Sequence, residues 1–570
     1  MRVKVATIGV VVIFLFLAAG LVHLQVFQGR QYAVLSKKNC IRLIPQAGSR
    51  GRIIDRQGSV IVDSVLSYDV LVLPQEAFDL DRTFFSLSKL LERSVKDLRN
   101  TFKANLVSSS IPVVVAKNID IKKAIALEEL KLDFPGVIVQ PHPLRDYPYG
   151  ALAAHVIGYL NEIDRWRLTK LEDYGYKTKD IVGFGGIEEK YDYFLREEDG
   201  GTSVEVDRRG RFVRVLGFQP PKNGKEIQLT LDLRIQKIVE NSLIDKKGGV
   251  VILDPLTGEV LAMASSPSFD PSIFIKQSHQ EISGVFNDPT SPLLNRVISG
   301  LYPPGSIFKP IVATAGLETG KINSDTSFLC EGQWYVGRQR FGCWNTHGSQ
   351  DIVAAIAHSC NVFFYRTGLM LGSQTLYDYA IKFGLAKPTN IELPYELSGY
   401  IPSSLLKKIH KFKGWYEGDT ANFSIGQGDV LVTPLQMVRM MAVFANKGKL
   451  LTPCIVKAIA GKDVSVYQRK SVSLPIKESS MELIRQGLRG VVAYPKGTAN
   501  ILSTLPVQVA GKTGTAQAAG GPSHAWFCGF FPFKSPKYVM CVFLERGGPG
   551  YYSCLIAKQI IESMVQEGII

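Results

Sequence analysis

The sequence predicts an α/β protein that has one N-terminal membrane helix and more than one folded domain. At 570 residues the chain is too long for one compact core. Residues 5–22 form an uncharged apolar run. Strand patterns lie at both ends of residues 227–570, with helical patterns between them. This arrangement favours an α/β domain whose antiparallel sheet brings its two ends together.

The N-terminal run predicts a membrane anchor. Residues 5–27 (VATIGVVVIFLFLAAGLVHLQVF) carry no Asp, Glu, Lys or Arg and approach the roughly 20 residues that span a bilayer as a helix. Arg2 and Lys4 precede the run as in a signal sequence, and Ala18-Ala19-Gly20 resembles a cleavage site. The apolar core is longer than the roughly 7–15 residues of a cleaved signal, so we interpret residues 1–27 as a cytoplasmic tip and an uncleaved anchor.

Composition indicates a folded protein and argues against some partners. The chain is 46% hydrophobic and 21% charged, with a formal net charge of +15. The basic excess could suit nucleic acid, an anionic lipid surface or an acidic polymer, but it is spread along the chain and discriminates poorly between them. We expect no nucleic-acid partner. The eight cysteines include no CxxC pair, which is untypical of a disulfide-stabilised scaffold.

The sequence pattern of residues 28–220 predicts a domain that contains both strands and helices. Residues 49–62 (SRGRIIDRQGSVIV) have the pattern of strand, turn and strand. Apolar periodicity predicts helices over residues 84–102 and 121–130. Proline, glycine and charge concentrate at residues 219–226 (QPPKNGKE), where we place a domain boundary.

The sequence predicts a second domain over residues 221–570, which begins with strands and ends with strands and a helix. Residues 248–265 have the pattern of a hairpin around the turn DPLTGE. Three further strands are predicted near residues 505–517, 524–533 and 538–546, and a helix over residues 556–569 closes the chain.

The stretch YPPGSIFKP places Ser306 and Lys309 where a helix is predicted to begin. Residues three apart share a helix face, so a neutral Lys309 amine could accept the Ser306 hydroxyl proton and activate that oxygen as a nucleophile. An unperturbed lysine has a pKa of about 10.4, so this role requires burial or a nearby positive charge. The same spacing occurs at Ser86/Lys89 and Ser404/Lys407, so the pair alone indicates no more than a capped helix.

Two further motifs follow in order: HSCN with Ser359 and Asn361, and GKTGTAQ with Lys512. Ser359 can relay a proton between the base and a leaving amine, and the Asn361 amide can orient a peptide bond. Lys512 supplies positive charge near a substrate carboxylate and helps to lower the pKa of Lys309. SxxK, SxN and KTG in this order are the signature of the serine acyl-transferases that include penicillin-binding proteins and β-lactamases.

The residues after Lys512 are candidate substrate-binding groups. The Thr513 and Thr515 hydroxyls can bind the substrate carboxylate, and Gly514 lets a substrate backbone approach the strand closely. The backbone N–H groups of Ser306 and Thr515 are the candidate oxyanion-hole donors.

With these motifs the chain resembles the class B penicillin-binding proteins over nearly its whole length. SRGRIIDRQG, RDYPYGALAAHVIGYL and GFGGIEEKYDYFLREEDG resemble motifs of that family's non-catalytic pedestal, and NRVISGLYPPGSIFKP resembles the catalytic domain. Residues 418–437 and HAWFCGFFP resemble the elongation-type members. The resemblance implies an elongated α+β pedestal over residues 28–220 and, over residues 221–570, a transpeptidase domain with an antiparallel sheet flanked by helices.

The resemblance also implies a reaction, partners and a location. A peptidoglycan DD-transpeptidase would attack the D-Ala-D-Ala bond of a stem peptide with Ser306, release terminal D-alanine and pass the acyl group to an amine of a neighbouring stem. A β-lactam would acylate the same serine. The family implies an inner-membrane anchor, a periplasmic catalytic domain, and as partners a membrane-embedded lipid II glycosyltransferase and the elongation complex. It implies no cofactor for the chemistry.

Four further residues form a candidate zinc site: Cys330, Cys343, His347 and Cys360. Three thiols and an imidazole can make a closed tetrahedral site. Elongation-type members resemble this chain in carrying a metal near SxN, with His347 and Cys360 at matching positions. A Cys330–Cys343 disulfide and buried free thiols are the alternatives.

Three rival functions remain at the level of sequence. A serine β-lactamase would need a general base for hydrolysis, and no ExxLN-type element follows Asn361. A division-type transpeptidase shares all three motifs and differs only in the elongation-type stretches. A β-lactam-sensing receptor or a catalytically inactive scaffold is disfavoured because the motifs are complete.

Overall fold

The chain forms two compact units that are discontinuous in sequence. The structure is a computed structural model that describes residues 2–33, 41–77, 79–106, 111–207, 212–276, 278–411, 414–468 and 470–570. The first unit comprises residues 1–51, 64–145 and 196–224, and the second comprises residues 52–63, 146–195 and 225–570. Segments 52–63 and 146–195, which the sequence assigned to the pedestal, therefore belong to the second unit. A single cut near residue 220 does not separate the two units.

The N-terminal helix has the length and composition of a membrane span. The α-helix Arg2–Val22 continues through a π-helical turn, His23–Phe27. In the described ranges, residues 4–27 are the one helical segment long and apolar enough to cross a membrane, and none of them is buried. Both findings are consistent with a single-pass anchor.

The rest of the first unit contains two groups of strands, and helices pack against one of them. A three-stranded antiparallel sheet orders its strands as Ile41–Gln46, Gly200–Val206 and Phe212–Gln219. A second group of strands packs against three helices over one apolar core that includes Val70, Phe84 and Leu87. Its strands are residues 64–72 of Val60–Val72, with Val113–Ile119 and Val137–Asp146, and its helices are Leu80–Leu91, Val95–Asn105 and Ile121–Glu129.

The predicted helix over residues 84–102 is interrupted, which corrects the sequence-based expectation. Glu92 adopts a left-handed backbone with φ of 55°, and this conformation ends the first helix. Ser94 then caps the second helix, because its hydroxyl accepts a hydrogen bond from the Asp97 backbone N–H at 3.0 Å.

The second unit is built around a five-stranded antiparallel sheet. We label its strands β1 (Gly248–Leu253), β2 (Val260–Ser266), β3 (Ala510–Ala516), β4 (His524–Phe531) and β5 (Tyr538–Leu544), and their order across the sheet is β2-β1-β5-β4-β3. This pairing brings the two ends of the domain together, and β3, which carries the KTG motif, is an edge strand. Every residue of β4 is buried, so both faces of the sheet are covered.

Helices of the second unit cover the sheet and carry the other motifs. We label those used below α1 (Lys309–Glu318), α2 (Ile352–Ala357), α3 (Asn361–Lys382), α4 (Pro434–Ala445), α5 (Glu478–Ala493) and α6 (Tyr551–Gln566). Helices α4 and α6 contact the sheet, α3 packs against α1, and α5 packs against α2. The remaining helices are Ala154–Ile157, Arg165–Leu171, Glu172–Tyr174, Gly186–Lys190, Asp192–Leu195, Leu233–Ser242, Ser272–Ile275, His279–Asn287, Gly305–Phe308, Ser404–Lys411, Glu417–Ser424, Ser465–Gln468 and Asn500–Thr504.

Short strands complete the second unit. The predicted turn within residues 49–62 is confirmed, because Ile53 lies opposite Val62 and Gly58 has a φ of 91°. The remaining strands are Ile53–Ile54, Tyr159–Glu162, Ile181–Phe184, Ile227–Leu229, Phe328–Cys330, Gln333–Val336, Gln339–Gly342, Gly348–Gln350, Lys449–Leu451, Val456–Ile459, Lys462–Asp463 and Ser471–Ser473.

Candidate active site

Ser306 lies in a short 3-10 helix, Gly305–Phe308, that leads directly into α1. The predicted helix start is therefore confirmed, and Lys309 is the first residue of α1. Ser306 is partly exposed, whereas Lys309 is fully buried. The Ser306 N–H belongs to the first turn of a helix, where backbone N–H groups lack intrahelical acceptors and are available to an oxyanion.

The Lys309 ammonium group connects the first motif to the second. Its Nζ lies 2.7 Å from Asn361 Oδ1, 2.8 Å from the Ser359 carbonyl oxygen and 3.2 Å from Ser359 Oγ. Burial lowers the pKa of Lys309 to about 8. The sequence-based requirement for a depressed lysine pKa is therefore met, with burial as its largest cause.

The direct contact expected between Ser306 and Lys309 is not formed. Among the described residues, no hydrogen bond joins Ser306 Oγ to Lys309 Nζ, because the three acceptors on Ser359 and Asn361 take up the lysine donors. A neutral amine keeps two N–H donors and gains a lone pair, which could accept a proton from the Ser359 hydroxyl or from Ser306. Loss of the proton from Lys309 would therefore free one position on this nitrogen for the nucleophile.

The SxN motif lies in the junction between α2 and α3. Ser359 is buried and adopts a left-handed backbone with φ of 55°, which is uncommon for a non-glycine residue. Asn361 begins α3, and its Nδ2 donates to the Gly342 carbonyl oxygen at 3.2 Å. The second N–H of this amide remains for a substrate carbonyl.

The KTG strand presents backbone groups along an unpaired edge. Thr515 O accepts a hydrogen bond from Gln427 Nε2 at 3.3 Å. In an antiparallel strand the N–H and C=O of one residue point to the same edge, so the Thr515 N–H also faces away from β4. Thr513, two residues earlier, shares this orientation. The Thr515 N–H therefore points to the unpaired edge of β3, and its role as an oxyanion-hole donor stays a prediction.

The glycine of KTG has a role that the sequence did not suggest. A Cβ at Gly514 would lie 2.9 Å from the Pro304 carbonyl oxygen and 3.1 Å from Trp526 Cβ. Gly305 has a φ of 56°, and a Cβ there would lie 2.8 Å from Thr515 O. The two glycines therefore allow the nucleophile turn to pack directly against β3, in addition to any space that Gly514 leaves for substrate.

Lys512 is fully buried, and its Nζ donates to the Thr513 carbonyl oxygen at 3.2 Å. Burial is the largest cause that lowers the pKa of Lys512 well below its usual value, and the positive charge of Lys309 lowers it further. The sequence analysis expected Lys512 to lower the pKa of Lys309. Burial is the cause that lowers the pKa of Lys309, and the effect of one lysine on the other is found at Lys512 instead.

Three residues of the site were missed by the sequence analysis, because each acts through tertiary packing. The Trp526 indole N–H donates to the Pro303 carbonyl oxygen at 3.1 Å, and the Gly426 carbonyl oxygen accepts from the Gly305 N–H at 2.8 Å. Both bonds fix the turn before Ser306. The third is Thr498, whose hydroxyl pairs with that of Thr513 at 2.7 Å. Trp526 and Gly426 had a sequence signal, since they lie in the HAWF stretch and in residues 418–437, whereas Thr498 had none.

The four predicted metal ligands converge on one point beside the SxN motif. One ligand atom each from Cys330, Cys343, His347 and Cys360 lies within 4.8 Å of all the others. His347 Nδ1 lies 3.5 Å from the sulfur of Cys330 and 3.5 Å from that of Cys343. A tetrahedral site with Zn–S of about 2.3 Å and Zn–N of about 2.0–2.1 Å places sulfur and nitrogen about 3.5 Å apart. The donor set and the distances from His347 to these two sulfurs therefore fit zinc.

The cysteines of this cluster are free thiols, so the alternative of a Cys330–Cys343 disulfide is not formed. A hydrogen bond from the Cys360 thiol is the largest cause that holds the pKa of Cys343 well below its usual range. The Asn361 backbone N–H also donates to the Cys343 sulfur at 3.2 Å. The cluster thus contacts the residue that anchors the Lys309 ammonium group.

Comparison with known families matches both parts of the chain. The model of the penicillin-binding protein transpeptidase domain matches residues 248–566, and the model of the penicillin-binding protein dimerisation domain matches residues 45–229. The peptidoglycan D,D-transpeptidase MrdA of Salmonella typhimurium is 36% identical over 99% of this chain and 95% of that protein.

Solved structures of similar fold include penicillin-binding proteins and a peptidoglycan synthase complex. The complex of penicillin-binding protein PBP2 with MreC from Helicobacter pylori contains a chain that is 28% identical to this one with a TM-score of 0.81, over 93% of this chain and 100% of that chain. A peptidoglycan synthase complex described as coordinating polymerization and crosslinking contains a chain that is 30% identical with a TM-score of 0.76, over 99% of this chain and 98% of that chain.

Proposed function

The chain belongs to the penicillin-binding proteins as a peptidoglycan D,D-transpeptidase of the elongation type, and on this premise we propose that Ser306 carries the acyl group. The observation that carries the proposal is the convergence of Lys309, Ser359 and Asn361 beside the Ser306 turn, opposite the β3 edge. Serine-type transpeptidases of this family need no cofactor for this chemistry.

In the first half-reaction, Ser306 Oγ attacks the carbonyl carbon of the D-Ala-D-Ala peptide bond in a donor stem peptide. The hydroxyl proton passes to neutral Lys309, and an ester forms through a tetrahedral intermediate that the Ser306 and Thr515 N–H groups stabilise. The leaving amine receives a proton through Ser359, whose Oγ lies 3.2 Å from Lys309 Nζ. Terminal D-alanine is released.

In the second half-reaction, an amine of a neighbouring stem peptide attacks the ester carbonyl. Its proton returns through Ser359 and Lys309 to the Ser306 oxygen as the ester bond breaks, so the cross-link forms and the free serine is restored. The donor peptide extends along the edge of β3, where Thr513 and Thr515 offer backbone hydrogen bonds. Gly514 allows close approach, Lys512 supplies positive charge, and the two threonine hydroxyls bind the carboxylate.

Covalent labelling tests the assignment of the nucleophile. We expect benzylpenicillin to add once per chain and to remain bound, because the sequence has no ExxLN-type element after Asn361 to supply a general base for hydrolysis of the ester. Intact-mass measurement reports the stoichiometry, and tryptic mapping should locate the adduct in the peptide of residues 297–321. Fragmentation of that peptide distinguishes Ser306 from Ser299. Steady turnover of a chromogenic β-lactam, or an adduct on another peptide, would contradict the proposal.

We propose further that the protein is a single-pass protein of the bacterial inner membrane with its catalytic domain in the periplasm. The apolar helix of residues 4–27 supports the anchor. A membrane-embedded lipid II glycosyltransferase and other elongation proteins are the proposed partners, supported by the similarity to a peptidoglycan synthase complex and to a PBP2 that binds MreC. The division into a pedestal of residues 28–220 and a transpeptidase domain of residues 221–570 is likewise proposed, with support from the two family models.

We also propose that Cys330, Cys343, His347 and Cys360 hold a structural zinc ion. All four ligand positions would come from the protein, which is typical of a closed structural site that takes no part in chemistry. His347 Nδ1 lies 3.5 Å from the sulfurs of both Cys330 and Cys343. The ion would tie the loop of residues 330–347 to the SxN motif.

Purified protein should contain about one zinc ion per chain, measured by elemental mass spectrometry after purification without chelators. Cys360→Ala should lower the zinc content at least several-fold and lower the melting temperature, because structural zinc contributes directly to folding stability. Cys454→Ala, which removes a buried cysteine outside the cluster, should leave the zinc content unchanged. Wild-type protein without bound zinc would exclude the site.

A further inference from the structure

Thr498, which belongs to none of the three motifs, lies in a tight turn that follows α5. The Gly497 N–H donates to the Tyr494 carbonyl oxygen, and the Ala499 N–H donates to the Val491 carbonyl oxygen, each at 2.9 Å. A Cβ at Gly497 would lie 2.4 Å from the Val491 oxygen, so the turn packs against the helix end as closely as a glycine allows. The backbone around Thr498 is therefore fixed by local hydrogen bonds.

The same turn is connected to the catalytic segment that carries the second motif. The Thr498 N–H donates to the Ala357 carbonyl oxygen at 3.4 Å, and Ala357 is the last residue of α2, two positions before Ser359. A Cβ at Gly490 of α5 would lie 3.0 Å from Ala357 Cβ, which shows how closely α5 approaches this point. Thr498 thus has a fixed position relative to Ser359.

The Thr498 side chain meets the KTG strand at Thr513. The Thr513 hydroxyl donates to Thr498 Oγ1 at 2.7 Å. Each threonine hydroxyl has one hydrogen, and this bond uses one of the two. With Thr513 as the donor, Thr513 has none left for a substrate carboxylate. In the part of the chain that the structure describes, the Thr498 hydroxyl has no other hydrogen-bond partner. One donor therefore remains in this pair, and it is the hydroxyl of Thr498, which is only partly buried.

A second free hydroxyl lies on the same side of the strand. Thr515 Oγ1 accepts from the Gly550 N–H at 2.9 Å, so its own hydrogen remains available, and its side chain is exposed. Thr513 and Thr515 are two residues apart on one face of β3, a spacing of about 7 Å. Thr498, through its contact with Thr513, places its donor near the first of these two positions.

We propose that Thr498 is a substrate-binding residue that donates a hydrogen bond to the carboxylate of the donor peptide or of a β-lactam, while Thr513 acts as a positioning residue for it. The inference rests on the proposed function, which places that carboxylate at residues 512–515. In this proposal the carboxylate receives its two hydroxyl hydrogen bonds from Thr515 of the KTG strand and from Thr498 of the turn after α5, instead of from Thr513 and Thr515. Carboxylate recognition then depends on the packing of α5 against α2 as well as on the strand.

The test compares a ligand that has the carboxylate with one that lacks its charge. Second-order acylation rate constants are measured for benzylpenicillin and for its methyl ester with full-length protein in detergent. Thr498→Val should lower the rate constant for the acid about 10- to 100-fold, as expected for loss of a hydrogen bond to a charged group, and change that for the ester less than about threefold. Thr498→Ser keeps the hydroxyl, so its rate constant for the acid should lie within about threefold of the wild-type value.

Matched variants separate this inference from the function on which it rests. Thr504→Val, at an exposed threonine outside the cleft, should leave both rate constants unchanged. A fall in both rate constants by equal factors in Thr498→Val, or no fall for the acid, overturns the role of Thr498. If Thr513→Val and Thr515→Val change the acid-to-ester ratio while Thr498→Val does not, only the inference fails. If none of the three changes the ratio, the proposed carboxylate site at residues 512–515 fails as well.

Discussion

Replacement of Ser306 by alanine is expected to abolish covalent capture of benzylpenicillin and to lower cross-linking by about 10⁶-fold, the loss typical of removing a catalytic serine. Ser306 is the one partly exposed residue of the short helix Gly305–Phe308, whose other three residues are buried. Without the Oγ, no ester can form, although the cleft itself should remain intact. Intact-mass spectrometry after exposure to benzylpenicillin measures the adduct directly.

The chain provides a matched control for this experiment. Ser86 and Lys89 have the same spacing as Ser306 and Lys309, but they lie on the helix Leu80–Leu91 of the first unit, where Ser86 is partly exposed. The Ser86→Ala protein should form the benzylpenicillin adduct to the same extent as the wild-type protein. A Ser306→Ala protein that still gains one penicillin mass would require a different nucleophile and would end the present assignment.

Replacement of Lys309 by methionine should lower the acylation rate by about 10³-fold, within the range found when a general base is removed. The wild-type rate should depend on pH, because only the neutral amine can accept the Ser306 proton. Burial lowers the pKa of Lys309 to about 8. Below pH 8 the neutral fraction falls about tenfold per pH unit, so the rate should rise with pH and level off above about 8.

Two variants distinguish a base from a positive charge. Lys309→Arg keeps the charge but cannot lose its proton, so it should be as inactive as Lys309→Met. Lys321→Met, at an exposed lysine just after α1, should retain both the rate and the pH profile. A wild-type rate that is flat between pH 6 and 9, or an active Lys309→Arg protein, would rule out Lys309 as the base.

Much of the catalytic chemistry could be predicted from the sequence because it is encoded in short local patterns. The spacing of Ser306 and Lys309 fixes both on one helical segment whatever the rest of the chain does. The Lys512–Thr515 motif lies within one strand, so the alternation of its side chains between the two faces follows from β geometry alone. The predicted fold class is also confirmed, because the apolar strands at both ends of residues 227–570 pair in one sheet.

Features that depend on contacts between distant segments could not be predicted in this way. Thr498 lies 15 residues from Thr513 and meets it because α5 packs against both α2 and β3. The absence of a direct Ser306–Lys309 bond also follows from tertiary structure, since α3 brings Asn361 Oδ1 to the amine. The discontinuous units have the same origin, because segment 146–195 returns to the second unit after the chain has built most of the first.

The unpaired edge of β3 has a consequence for drug resistance. Its recognition groups at Thr513 and Thr515 are peptide N–H and C=O groups, which every amino acid except proline retains. A side-chain mutation at either position therefore cannot remove the backbone anchor that β-lactams and the natural peptide share. Resistant variants are expected instead to arise at contacts that hold β3 or the turn before Ser306 in place, such as those of Gly550, Gly426 and Trp526. Such variants should also slow cell-wall synthesis.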